Sequence, residues 1–243
     1  MRTAACIFVM FVTCAITSAS SDNKGTSRSY ELSGMNVVLL GDSNTWLSGD
    51  SCNNPQGWGY WLREEYSPAT CMSYARSGAT WTHTENTADD IDEYSEVISD
   101  NNVITNQVNR LIKTHDEGVQ ATPDIIIIMA GTNDAWFTNH RPMALKDNDT
   151  EMDQQSTKQL AGAVIHDCRL LKEAFPNAYI LLLTPPLSKQ AGEENIHLAG
   201  DIISACGRYL NIEVIRLDSS AIDTYDGTHT TVQGAKKIAS GLF

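Results

Sequence analysis

Four short polar clusters in this chain hold the side chains that nucleophilic catalysis requires: Gly41-Asp42-Ser43-Asn44, Ala75-Arg76-Ser77-Gly78-Ala79, Gly131-Thr132-Asn133-Asp134 and Asp226-Gly227-Thr228-His229. Taken singly, each reads as an ordinary turn built from residues that favour turns. Taken together they supply a nucleophile, a base, an acid to orient the base, and amide donors. A serine hydroxyl is weak until a neighbouring base takes its proton. Histidine can do that near neutral pH, because imidazole titrates at about 6.5 when unperturbed.

The elements around the clusters explain how they could meet. Short aliphatic runs predict strands over Val37–Leu40, Cys71–Tyr74, Asp124–Ala130, Tyr179–Thr184 and Ile212–Leu217. Helices are predicted over Trp58–Glu65, Val103–Lys113, Lys158–Ala174, Asn195–Leu210 and Val232–Leu242, the third of them stopping before Pro176. The run Ile125–Ile128 has no polar alternation, as expected of a strand covered on both faces of a parallel sheet. Alternating strands and helices imply a three-layer α/β/α sandwich around a five-stranded parallel sheet. Ligands in such sheets bind beyond the carboxyl ends of the strands, where all four clusters would lie.

GDS after one apolar strand, GTND after another and DxxH near the C-terminus resemble the sequence blocks of the SGNH hydrolase superfamily, also called the GDSL lipase/esterase family. The resemblance runs over residues 36–243 and implies a flavodoxin-like fold and carboxylic ester hydrolysis without a cofactor or metal. Carried onto this chain, it makes Ser43 the nucleophile, His229 its base and Asp226 the group that orients the imidazole. Ser43 and Gly78, through their backbone N–H groups, and Asn133, through its side-chain amide, become the oxyanion donors. Gly57 and Gly59 stay open as alternatives to Gly78.

Other features bound the function. The first twenty residues carry Arg2, an apolar stretch from Ala4 to Ile16 and small residues around Ala19, the layout of a signal peptide, too short in its apolar part to span a membrane. This predicts export to a periplasmic or extracellular space, with a lipid anchor at Cys14 as the alternative. Residues 21–35 read as a polar linker and residues 36–243 as the hydrolase domain. Removing the leader takes one basic residue from a chain of 17 Lys and Arg against 30 Asp and Glu, leaving a net charge of −14 that repels nucleic acid and anionic membranes. Nothing in the sequence fixes the oligomeric state. Cys52, Cys71, Cys168 and Cys206 could pair in three ways or remain buried thiols.

Trp46, Trp81 and Trp136 each fall three residues after Ser43, Gly78 and Asn133, and either form an aromatic wall at the site or anchor the loops in the core. His83 and His140 lie in loops where they could line a substrate pocket, whereas His115, His166 and His197 fall on helices or their ends. The insertion from Thr138 to Gln159 could carry specificity, and Arg141 within it could meet an anion or sit solvated on the surface. Asp147-Asn148-Asp149 lacks the spacing of a calcium loop. The substrate this implies is a small or carbohydrate ester, an acetyl ester above all. Competing readings are a lysophospholipase or thioesterase, and a carbohydrate-binding module that has lost catalysis.

Overall fold

The computed structural model describes residues 32–88, 97–146, 152 and 156–243. Five strands form one parallel sheet: β1 (Asn36–Gly41), β2 (Thr70–Ser73), β3 (Ile125–Met129), β4 (Tyr179–Leu183) and β5 (Glu213–Ile215), in the order β2-β1-β3-β4-β5. Between and after them come α1 (Ser43–Trp46), α2 (Trp58–Tyr66), α3 (Ile104–Asp116), α4 (Thr132–Trp136), α5 (Leu160–Ala174), α6 (Glu193–Leu210) and α7 (Val232–Ala239). Among the described residues no helix is long and apolar enough to cross a membrane. The signal peptide, Cys14 and Asp147-Asn148-Asp149 lie outside the described residues.

Alternate side chains of each central strand enter different cores. Val38, Leu40, Ile126, Ile128, Ile180 and Leu182 pack with residues of α3, α5 and α6. Val37, Leu39, Ile125, Ile127, Leu181 and Leu183 pack with Trp58, Leu62, Ala235 and Ile238 of α2 and α7. This period of two, apolar at every step, is why the strands show no polar alternation. Burying one such side chain contributes about 1.5–3 kcal/mol. Leu32 is 2% exposed and belongs to the second core, so the fold takes in the end of the stretch expected to be a linker.

Two details differ from expectation. Strand β5 is three residues long because the chain turns towards Thr184, whose hydroxyl accepts from the N–H of Leu217 at 2.8 Å. The single-turn helices α1 and α4 begin inside the GDSN and GTND clusters, and each is too short to show a period.

The strand order reverses between β1 and β3, so the loops that follow these two strands diverge and leave a crevice. Gly41 pairs with Met129, which brings the first and third clusters to the same level at that crevice.

Candidate active site

Ser43 stands at the first residue of α1, held there by two turn-forming neighbours. Gly41 has φ +155°, and a side chain at that position would run into the Met129 carbonyl oxygen and the Thr45 hydroxyl, so only glycine fits between β1 and β3. Asp42 caps α1, accepting the Asn44 N–H at 3.1 Å. Burial pushes the Asp42 carboxyl up to about 6.

The fourth cluster closes on the first. His229 Nε2 lies 3.0 Å from Ser43 Oγ, and His229 Nδ1 lies 2.6 Å from Asp226 Oδ2. The other Asp226 oxygen accepts the backbone N–H groups of Thr228 (2.9 Å) and His229 (2.7 Å). Burial alone would raise the Asp226 carboxyl; the bonds from the His229 ring and these two N–H groups outweigh it and hold the carboxyl below its usual range. An ionised Asp226 against Nδ1 places the proton on that nitrogen and leaves Nε2 able to accept the serine proton.

Asn44 joins the two clusters. It is fully buried, donates to the Thr228 carbonyl at 3.2 Å and accepts the Thr230 N–H at 3.0 Å, gripping the chain on both sides of His229. From the far side, Lys189 donates its N–H to the Gly227 carbonyl at 2.8 Å, and the Gln190 side chain donates to the Asp226 carbonyl at 2.7 Å.

The second and third clusters are tied in the same way. Asn133 Nδ2 donates to the Ala79 carbonyl at 2.8 Å, which leaves its second amide hydrogen for another acceptor. Asp134, fully buried, accepts the N–H groups of Trp81 (3.0 Å) and Thr82 (2.9 Å) and the Thr82 hydroxyl (2.7 Å). Gly78 has φ +79°, and a Cβ there would lie 2.6 Å from the Ile98 nitrogen, so its glycine is required by the turn and by the segment crossing it. Among the described residues the backbone N–H groups of Ser43 and Gly78 have no protein acceptor. Three amide donors with a hydrogen to offer are what a developing oxyanion needs.

Gly57 and Gly59 have a different task. A side chain at Gly57 would meet the backbone of Ser48, and Gly59 donates its N–H to Ser48 Oγ at 2.9 Å, so both pack the link between α1 and α2.

The three tryptophans separate. Trp81 is fully buried in the core beside Ile104 and Leu160, as an anchor for its loop and not part of an aromatic wall. Trp46 is half-buried, and Trp136 is 36% exposed and stacked on Phe137, with ring centroids 4.9 Å apart. Another aromatic side chain flanks the base instead: Tyr225, 60% exposed, stacks on the His229 ring with centroids 5.9 Å apart and planes 20° from parallel. Tyr225 also lines a groove of about 530 Å³ with Gln56, Thr231 and Val232.

His83 and His140 line a separate cavity of about 280 Å³ with Asp100 and Arg141. His83 is buried and reaches Asp167 through Thr105, at 2.7 and 2.6 Å. Arg141 is not a surface residue: it is 3% exposed and donates to the carbonyls of Thr82 and Ser99, both at 2.8 Å. His115, His166 and His197 fall on α3, α5 and α6, as expected. Sequence reasoning passed over Asn44, Asp134 and Tyr225, although each adjoins a motif residue and the first two complete the tetrapeptides GDSN and GTND.

Comparison with known proteins identifies the family and the fold. The family model described as GDSL-like Lipase/Acylhydrolase matches residues 37–242. The chain belongs to that family. Its members' activity makes this chain a carboxylic ester hydrolase, and its fold is the α/β fold of the SGNH hydrolases. No curated protein matches the sequence. Among solved structures, a GDSL-like lipase from Bacteroides ovatus is 21% identical with a TM-score of 0.59, covering 85% of this chain and 95% of its own. One from Bacteroides uniformis is 24% identical with a TM-score of 0.56, covering 85% and 92%. A carbohydrate acetylesterase family member from Sinorhizobium meliloti is 20% identical with a TM-score of 0.54, covering 86% and 95%. At these identities the likeness is one of fold.

Proposed function

We propose that this family member is an exported serine esterase that removes short acyl groups, acetyl above all, from carbohydrate. The observation that carries the chemistry is the continuous line from Asp226 through His229 to Ser43, at 2.6 and 3.0 Å. In the proposed reaction, Ser43 Oγ attacks the ester carbonyl as His229 Nε2 takes its proton. The oxyanion forms against the N–H groups of Ser43 and Gly78 and the Asn133 amide, in a site where preorganised donors are strongest. His229 then returns the proton to the departing alcohol, leaving an acyl group on Ser43, and activates a water that releases it.

Two observations support a carbohydrate alcohol. The leaving oxygen must lie beside His229 Nε2, and Tyr225, which stacks on that ring and is exposed, lines a groove with Gln56 and Thr231. An aromatic face with polar neighbours suits the apolar side and the hydroxyl rim of a sugar ring. The shared fold with a carbohydrate acetylesterase is in keeping with this reading. Export rests on the basic and apolar layout of residues 1–20.

Labelling with a fluorophosphonate probe tests the nucleophile: the wild type is expected to label and Ser43→Ala not to, and a variant that still labels would exclude Ser43. A chain-length series of nitrophenyl esters tests the acyl group. Maximal kcat/KM at acetate is expected, and a maximum at eight carbons or more would favour a lysophospholipase or thioesterase.

A further inference from the structure

Outside the site, the structure brings together two thiols that the mechanism does not use. Cys52 lies in the connection between α1 and α2, and Cys71 lies on the edge strand β2. Their sulfur atoms are 3.2 Å apart, and both residues are buried, at 0% and 6% exposure. We infer that Cys52 and Cys71 join in a disulfide when the chain folds under oxidising conditions.

The geometry favours this pair over its alternatives. A disulfide has sulfurs about 2.05 Å apart, so closure needs a shift of roughly 1 Å shared between two side chains. No group of three His, Cys, Asp or Glu that could hold a metal occurs among the described residues. Cys168 and Cys206 lie in the core on the opposite face of the sheet, and the Cys206 thiol is directed at the Ala161 carbonyl, 3.7 Å away. Of the three full pairings, the two that cross the sheet therefore have no support.

The oxidation balances with a low-molecular-weight disulfide as the oxidant. One thiolate attacks that disulfide and forms a mixed disulfide; the second displaces the remaining small thiol. The protein gains one S–S bond and loses two protons and two electrons, and the oxidant becomes two thiols. The hydrogen bond with Cys71 and then burial push the Cys52 thiol up, so little thiolate forms in the finished fold. Bond formation therefore belongs to folding, before the α1–α2 connection closes over β2.

That connection holds Ser48, whose hydroxyl accepts the Gly59 N–H and whose carbonyl accepts the Asn54 N–H at 3.0 Å. The bond would staple the segment behind the nucleophile helix to the edge of the sheet. For a loop of this length the constraint is worth a fall in Tm of about 5–15 °C when it is reduced.

The test is a disulfide map of the full chain refolded in a glutathione buffer, alkylated in denaturant and digested with trypsin. Cleavage after Arg63 separates Cys52, in residues 29–63, from Cys71, in residues 64–76. These two peptides are expected as one linked species that reduction resolves. Recovery of both in alkylated form, or a species that links either of them to Cys168 or Cys206, would overturn the inference. The map needs no variant and no enzymatic readout, so its result is separate from that of the ester assays.

Discussion

Asn44→Ala separates the positioning of the base from the chemistry of the base itself. The side chain is fully buried and bonded to Thr228 and Thr230, which are 2% and 0% exposed, so water cannot readily replace it. Alanine strands a buried carbonyl and a buried N–H, each at about 1–3 kcal/mol. The 3.2 Å bond belongs to the weaker end of that range, and a total of about 2–4 kcal/mol is expected. For a domain of this size that is a fall in Tm of roughly 4–16 °C. The same two bonds fix the chain on either side of His229. A displacement of the imidazole by about 1 Å would lower kcat some 10²-fold, with KM little changed because Asn44 is beneath the site. The assay is hydrolysis of nitrophenyl acetate at a temperature where circular dichroism shows the variant folded. A kcat within twofold of wild type in the folded variant would refute the role assigned to Asn44.

Three further outcomes are expected. Asn133→Ala lowers kcat by about 10²–10³ through the lost oxyanion donor and also lowers Tm by several degrees, because the same amide holds the Ala79 carbonyl; an unchanged kcat on nitrophenyl acetate would remove it from the site. Asp42 binds its proton more tightly folded than unfolded, about 6 against 3.8, so stability is lost as pH rises from about 4 to 6, by some 3 kcal/mol; urea titrations should show this fall in the wild type and a flatter profile in Asp42→Asn, which keeps an acceptor for the Asn44 N–H. Asp218 has the opposite sign: burial raises it, but bonds from Arg216, His197 and Thr184 bring it down to about 2. Its contribution is present above about 4 and lost as pH falls towards 2, worth about 1–2 kcal/mol after solvent screening of the half-exposed His197 and Arg216; Asp218→Asn should remove that acid-side loss in the same titrations.

The fold was legible because its signals are long and redundant. Five aliphatic runs and five amphipathic segments each fix an element, and burial of both sheet faces leaves Ile125–Ile128 with no polar interruption to misread. The strand order, by contrast, came from the structure, since periodicity says nothing about which strands are neighbours. Ser43, Asp226 and His229 were named through the family's sequence blocks, and the structure brings their side chains into one line of contacts. Trp81 could not be placed: tryptophan buries as readily as it lines a site, and an equal offset from three motifs is no constraint when the three loops turn differently. Arg141 was misleading for a related reason. A charged residue in a polar insertion reads as solvated, and only the structure reveals the two carbonyls that it serves from within. Asn44 and Asp134 were invisible as anchors because their partners, the Thr82 hydroxyl apart, are backbone atoms, which carry no residue-type signal.

Those partners explain how four loops can hold one geometry. The site is built as two halves. Asn44 ties the nucleophile's helix to the loop of the base, while Asn133 and Asp134 tie the loop after β3 to the one after β2. The pairing of Gly41 with Met129 then fixes one half against the other through the sheet itself. In each half the residue that does the tying is next to, or the same as, a residue assigned to the chemistry. Replacement of a motif residue therefore perturbs support and chemistry together, and kinetic losses in this site convert to a residue's chemical contribution only after the stability of the same variant has been measured.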